Sequence, residues 1–166
     1  MLKDKKLFLF DIDGTLAVGD ALLDGTRQLL DYIARVGGKA LYITNNSTKS
    51  RKDYVEKFRR WAIPAQETDF VTASYAACLD MKKRYGQEKL FVVGTKSFVR
   101  ELRSFGLQVT ERVEPDVRCV LVGYDSELTY RKTVDACEPL CQKEIDFAAT
   151  NPYLCCPAPF GFVPDC

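Results

Sequence analysis

Asp11 and Asp13, one residue apart and followed by Gly14-Thr15, are the side chains here best suited to do chemistry. Two carboxylates at that spacing can divide the work, one attacking an electrophile and the other moving a proton. A second group stands at Thr44-Asn45-Asn46, where hydroxyl and amide side chains precede a helix and can donate to an oxyanion. Donors for an oxyanion opposite a carboxylate able to attack make a phosphoryl-transfer site. The sequence holds no histidine, which removes Ser-His and Cys-His machinery and His-bearing metal sites. Acid–base work near neutral pH then falls to carboxylates, Lys, Tyr or Cys. Each group also has a plainer reading. Asp13-Gly14 can simply end a strand as a turn, and Asn46, Ser47 or Thr48 can serve as an ordinary N-cap.

The elements that must position these groups follow from the apolar pattern. Leu7 to Phe10 is an unalternating apolar run, as in a strand buried on both faces of a parallel sheet. Its carboxyl end, carrying the two aspartates, is where open α/β sheets bind ligands. Ala17 to Leu23, with Gly19-Asp20 at its turn, reads as a small hairpin or a loop lying over the strand end. A helix follows from Asp24 to about Val36, with Leu29, Leu30, Ile33 and Val36 on one face and Gly37-Gly38 as its stop. Lys39 to Ile43 is a second buried strand, ending at Thr44 beside the first. The next helix, about Lys49 to Trp61, carries Lys49, Arg51, Lys52, Lys57, Arg59 and Arg60, read as a solvated basic face.

Beyond Pro64 the pattern gives a short strand at 70–72 and a helix at 74–85. A second unit then opens with Leu90 to Gly94, followed by a helix at 95–105 and a strand at 119–125. A helix at 129–143 and a strand at 145–150 complete it. The tail from Asn151 to Cys166 carries four prolines and reads as a loop. Gly94-Thr95-Lys96-Ser97 lacks the spacing of a phosphate-binding loop.

With 46% hydrophobic and 28% charged residues and a net charge of +1, composition offers no electrostatic case for nucleic acid or an anionic membrane. No apolar run approaches a membrane span, and no export signal is recognised at the N-terminus. Seven cysteines without such a signal suggest free thiols and a cytoplasmic setting. Cys137, Cys141 and the Cys155-Cys156 pair leave a zinc site as a competing reading.

On these motifs the sequence resembles the haloacid dehalogenase superfamily, in the branch that includes NagD, chronophin and 4-nitrophenylphosphatase-like enzymes. DIDGTL resembles that family's first motif and ITNNS its second, with Thr44 as that motif's Thr or Ser. LVGYDSELTY and ATNPY resemble segments of this branch's inserted cap. The resemblance implies an α/β fold: a Rossmann-like parallel-sheet core, incomplete here, with an inserted α/β cap of the C2 type. Residues 1–84 would form the N-terminal part of the core and 85–166 the cap.

It further implies a Mg²⁺-dependent phosphatase acting on a small phosphorylated metabolite such as a sugar phosphate. Asp11 would be the nucleophile and Asp13 the acid–base group. Both would hold Mg²⁺, while Thr44, Asn45 and Asn46 would hold the phosphate. Asn151, Cys155 and Cys156, in the loop hanging from the cap, would help to select substrate, and two copies can pair through the cap.

The family's lysine and its later acidic motif lie after the cap in this branch, and Lys49 and Lys96 sit in no matching motif. The expectation is that these 166 residues belong to a longer polypeptide. The competing function is a non-catalytic phosphate- or partner-binding module lacking the later motifs. A phospho-accepting receiver domain ranks last, because it carries its acceptor on a later strand.

Overall fold

The computed structural model describes residues 4–142, 144–158 and 160–165. The fold is α/β with parallel sheets, and the chain divides into two compact units. The first comprises Met1–Thr44 with Arg51–Thr72, and the second Asn45–Ser50 with Ala73–Cys166.

The first unit is built on three parallel strands, β1 (Leu7–Asp11), β4 (Lys39–Thr44) and β5 (Phe70–Thr72), in the order β1-β4-β5. Parallel neighbours need long crossovers. Here they are α1 (Thr26–Arg35) and α2 (Arg51–Arg60), with a two-residue-strand hairpin, β2 (Ala17–Val18) and β3 (Ala21–Leu22), inserted before α1. The hairpin turns at Gly19-Asp20, as its sequence predicts. Alternation sends Phe8, Phe10, Tyr42 and Phe70 to one side of the sheet. There, with Ile12, Leu16, Tyr54, Phe58 and Ile63, most of them form the unit's core.

Two-sided burial of β1 is not what the fold shows. Leu7 and Leu9 are 55% and 58% exposed, because alternation turns them away from the face of Phe10 and Tyr42 that packs into the core. On α1, Ile33 is buried and Leu30 half-buried, whereas Leu29 is 42% exposed. A position one residue before Leu30 is rotated by more than a quarter turn from the inward stripe. Gly37 ends α1 in the left-handed region at φ 66°, with its N–H bonded to Ala34 O. A Cβ on Gly38 would stand 2.9 Å from the Phe8 ring, so the helix end and the strand approach too closely for a side chain.

The second unit holds a four-stranded parallel sheet in the order β7-β6-β8-β9. Its strands are β6 (Lys89–Val93), β7 (Gln108–Thr110), β8 (Val117–Val122) and β9 (Asp146–Ala149), and its helices are α3 (Ala73–Tyr85), α4 (Lys96–Ser104) and α5 (Tyr130–Gln142). The central strands β6 and β8 are buried on both faces, between one cluster containing Cys78, Met81, Phe98 and Leu102 and another containing Ala136. The tail is not wholly a loop. Cys155–Ala158 (β10) and Gly161–Pro164 (β11) pair as an antiparallel hairpin. Cys78 and Cys119 are buried, Cys137, Cys141 and Cys155 exposed, and all five are free thiols. Among the described residues no helix is long and apolar enough to cross a membrane.

Candidate active site

Asp11 is the last residue of β1, opposite Ile43 of β4 in parallel register. The next residue of β4 is Thr44, 3% exposed, so hydroxyl and carboxylate come from the same ends of adjacent strands. Beyond Asp11 the chain folds back at once. Leu16 N and Ala17 N both donate to the carbonyl of Ile12, at 3.0 and 3.1 Å, and Gly14 turns the backbone at φ 88°. Ile12 is fully buried while the aspartates on either side of it are exposed. Core packing of Ile12 therefore presents Asp11 and Asp13 outward. The Thr15 hydroxyl donates to Asp11 Oδ2 at 3.3 Å, which fixes one oxygen of the carboxylate.

Helix α2 contributes to this site in a way the sequence reading missed. Lys57, taken as part of a solvated basic face, is 3% exposed. Its ammonium lies 3.8 Å from Asp13 Oδ1 and 5.0 Å from the centre of the Trp61 ring. The signal was present in the spacing: Tyr54, Lys57, Phe58 and Trp61 stand at i, i+3, i+4 and i+7, one face of a helix. Trp61 is itself fixed, its indole N–H donating to Asp20 O at 2.7 Å. Tyr54, three residues before Lys57, is 1% exposed, and among the described residues its hydroxyl has no hydrogen-bond partner. Burial first, then the Asp13 carboxylate, holds this phenol above its ordinary value. The Thr44 side chain pulls the other way, short of hydrogen-bond geometry.

The remaining residues singled out from sequence lie in the second unit. Asn45 and Asn46 belong to its segment Asn45–Ser50. Asn46 Oδ1 accepts from Thr48 N at 2.8 Å and from the Thr48 hydroxyl at 2.7 Å, a local turn that engages its carbonyl oxygen. Ser47, fully buried, shares a hydrogen bond with Thr150 and accepts from Tyr124 N at 2.8 Å. Thr95 caps α4, accepting from Phe98 N at 3.1 Å, which accounts for the Gly94-Thr95-Lys96-Ser97 string without a phosphate. Asn151 accepts from Tyr153 N at 2.9 Å. Cys155 is exposed, and the backbone of Cys156 lies in β10. The structure thus brings Asp11, Asp13 and Thr44 together in the first unit and adds Lys57 and Tyr54.

A cleft of about 280 Å³ in the first unit is lined by Arg27, Lys39, Tyr42 and Asp69 among others. It includes neither aspartate, lying instead by the amino ends of β4 and β5. That cleft and the carboxylates at the strand ends are therefore separate features of the unit. For a metal, the donors at the strand ends are two carboxylates and a backbone carbonyl, all hard oxygen. Among the described residues no group of three or more His, Cys, Asp and Glu side chains could hold one. So sparse a donor set fits a divalent ion that keeps several waters.

A family model for haloacid dehalogenase-like hydrolases matches residues 8–108, more than half of the chain. An acid sugar phosphatase of Staphylococcus aureus strain MRSA252 is 31% identical over 163 residues, covering 98% of this chain and 62% of that protein. The chain thus spans about three fifths of the length of the curated relatives it matches. Among solved structures, 4-nitrophenylphosphatase from Thermotoga maritima superposes with a TM-score of 0.88 at 31% identity, over 99% of this chain and 61% of that one. A p-nitrophenyl phosphatase from Archaeoglobus fulgidus gives 0.86 at 26% identity, over 98% and 61%.

Proposed function

The chain belongs to the haloacid dehalogenase-like hydrolases, in the branch of the NagD and 4-nitrophenylphosphatase proteins, and from that premise we propose that it is a phosphoric monoester hydrolase. The substrate is a small phosphorylated metabolite of the sugar-phosphate kind. The observation that carries this reading is the parallel register that sets Asp11 at the end of β1 beside Thr44 at the end of β4.

In this mechanism a carboxylate oxygen of Asp11 attacks phosphorus and the bond to the leaving oxygen breaks, giving an aspartyl-phosphate. Asp13 gives its proton to the leaving alcohol. It then takes a proton from the water that attacks the intermediate, which releases phosphate and restores Asp11. Such proton transfer is worth roughly 10²–10⁴ in rate. The Thr44 hydroxyl, with the backbone that follows, and Asn45 and Asn46 hold the phosphoryl oxygens.

Charge is the obstacle. At an effective dielectric of about 20, two like charges about 4 Å apart repel by roughly 4 kcal/mol, and a phosphate dianion meets two carboxylates. A Mg²⁺ ion held by the Asp11 carboxylate and the Asp13 backbone carbonyl would supply the charge that offsets this repulsion. The reading also makes residues 85–166 a cap over the site, with Asn151, Cys155 and Cys156 in its selecting loop. It further allows cap-to-cap pairing of two copies and places the protein in the cytoplasm.

The test is turnover of 4-nitrophenyl phosphate by the full-length protein. We expect release that stops on chelation, returns with Mg²⁺, and is lost in Asp11→Asn. Turnover surviving in Asp11→Asn would overturn the mechanism. Phosphate binding with no turnover would replace it by a binding module.

A further inference from the structure

We propose that Lys57 is a positioning residue for Asp13, holding the carboxylate by Oδ1 so that Oδ2 carries the proton to the leaving oxygen. This rests on the reading of Asp13 as the acid–base group.

Three observations support the proposal. Lys57 is 3% exposed, the most buried lysine among the described residues, and its ammonium stands 3.8 Å from Asp13 Oδ1. Burying an ammonium costs several kcal/mol unless an anion and good geometry offset it, so a lysine is retained at such a position at a stability disadvantage. Methionine or leucine would fill the same space between Tyr54, Phe58 and Trp61 without that cost. The ammonium is also held in place, with the Trp61 ring at 5.0 Å and that indole tied to Asp20 O.

The third observation is an asymmetry between the two aspartates. Asp11 has one oxygen fixed by the Thr15 hydroxyl at 3.3 Å. Asp13 is 44% exposed at its side chain, on a tight loop, with Lys57 at 3.8 Å from Oδ1. Without a partner, an exposed carboxylate samples several rotamers. Proton transfer needs its oxygen within hydrogen-bond reach of the leaving group, and misplacement by about 1 Å can cost on the order of 10² in rate.

The prediction separates a positioning role from a packing one through the leaving group. An alkoxide is a poor leaving group and needs the proton of Asp13 as the bond breaks, whereas 4-nitrophenolate leaves readily without it. The quantity to compare is kcat/KM, which reports transfer to Asp11 and not the later hydrolysis shared by both substrates. In Lys57→Met, kcat/KM for an alkyl phosphate such as glycerol phosphate should fall by about tenfold or more relative to its fall for 4-nitrophenyl phosphate. Lys57→Arg should recover most of that difference. Lys57→Gln repeats the test should the Met variant fold poorly, and circular dichroism checks all three.

If Lys57 acts through Asp13, adding Lys57→Met to Asp13→Asn should change neither substrate further. Equal losses on the two substrates, or additive losses in the double variant, overturn the positioning role and leave Lys57 a packing residue. A wild-type protein that turns over neither substrate, or an Asp11→Asn protein as active as wild type, overturns the underlying activity instead.

Discussion

Tyr54 shows how much a single hydroxyl can cost. Its ring stacks on Phe70 at 5.7 Å inside the aromatic core, yet its hydroxyl, buried with the ring, has no partner among the described residues. A buried hydroxyl left unsatisfied costs about 1–3 kcal/mol, so Tyr54→Phe should hold or raise stability at neutral pH. A second consequence follows at alkaline pH. Burial first, and Asp13 after it, raises the phenol above its ordinary value of 10.0. A group whose folded value is raised contributes stability that is complete below the unfolded value and is lost as pH climbs past it. The wild type should therefore lose stability above about pH 10 more steeply than Tyr54→Phe. Denaturant midpoints at neutral and alkaline pH check both parts, and a loss of stability in Tyr54→Phe at neutral pH would show that the hydroxyl is bonded. That Asp11 and Thr44 close neighbouring strands was legible from sequence, because each follows directly on an apolar run. Lys57 was not, because counting the charges of α2 ignored their phase around the helix.

At the scale of elements, the strand–helix alternation was plain, and each long element forms within a few residues of its predicted span. The failures have separate physical causes. Prolines argued for a loop after Asn151, but a two-stranded ribbon has only edge strands, where a missing N–H costs little; Pro157 and Pro164 both sit in β10 and β11. Burial of both faces of β1 was inferred from its apolar run, whereas composition cannot say which neighbours a strand receives. Close packing between elements was also illegible. The ring of Phe98, first-turn residue of α4, lies against the carboxyl ends of β6 and β8. A Cβ on Gly94 would meet it at 2.5 Å and one on Gly123 at 2.9 Å. Phe98 is fully buried and cannot swing aside cheaply. Gly94→Ala should therefore destabilise the protein by about 1–3 kcal/mol, read as a lower denaturant midpoint with an unchanged slope. An unshifted midpoint would mean that α4 can move.

The first sheet carries an exposed apolar face. Parallel pairing places Leu9 beside Leu41, Asp11 beside Ile43, and Ile43 beside Val71, all on the side of the first sheet away from Tyr42 and Phe70. Leu7, Leu9, Ile43 and Val71 on that side are 55%, 58%, 40% and 39% exposed. Single exposed apolar residues are ordinary, but a contiguous set across three strands is not. Among the described residues β1 pairs with β4 alone, so the face lies beside an unpaired edge, and unpaired apolar edges are where chains associate. The 166-residue chain in isolation should therefore bind a hydrophobic dye and sediment with concentration-dependent mass. Leu9→Lys should reduce both, because it places a charge at the centre of the face while Phe8 and Phe10 keep the core side intact. A monomer at all concentrations with no dye binding would mean that these leucines are covered in solution, and the one-sided packing of β1 would then be wrong.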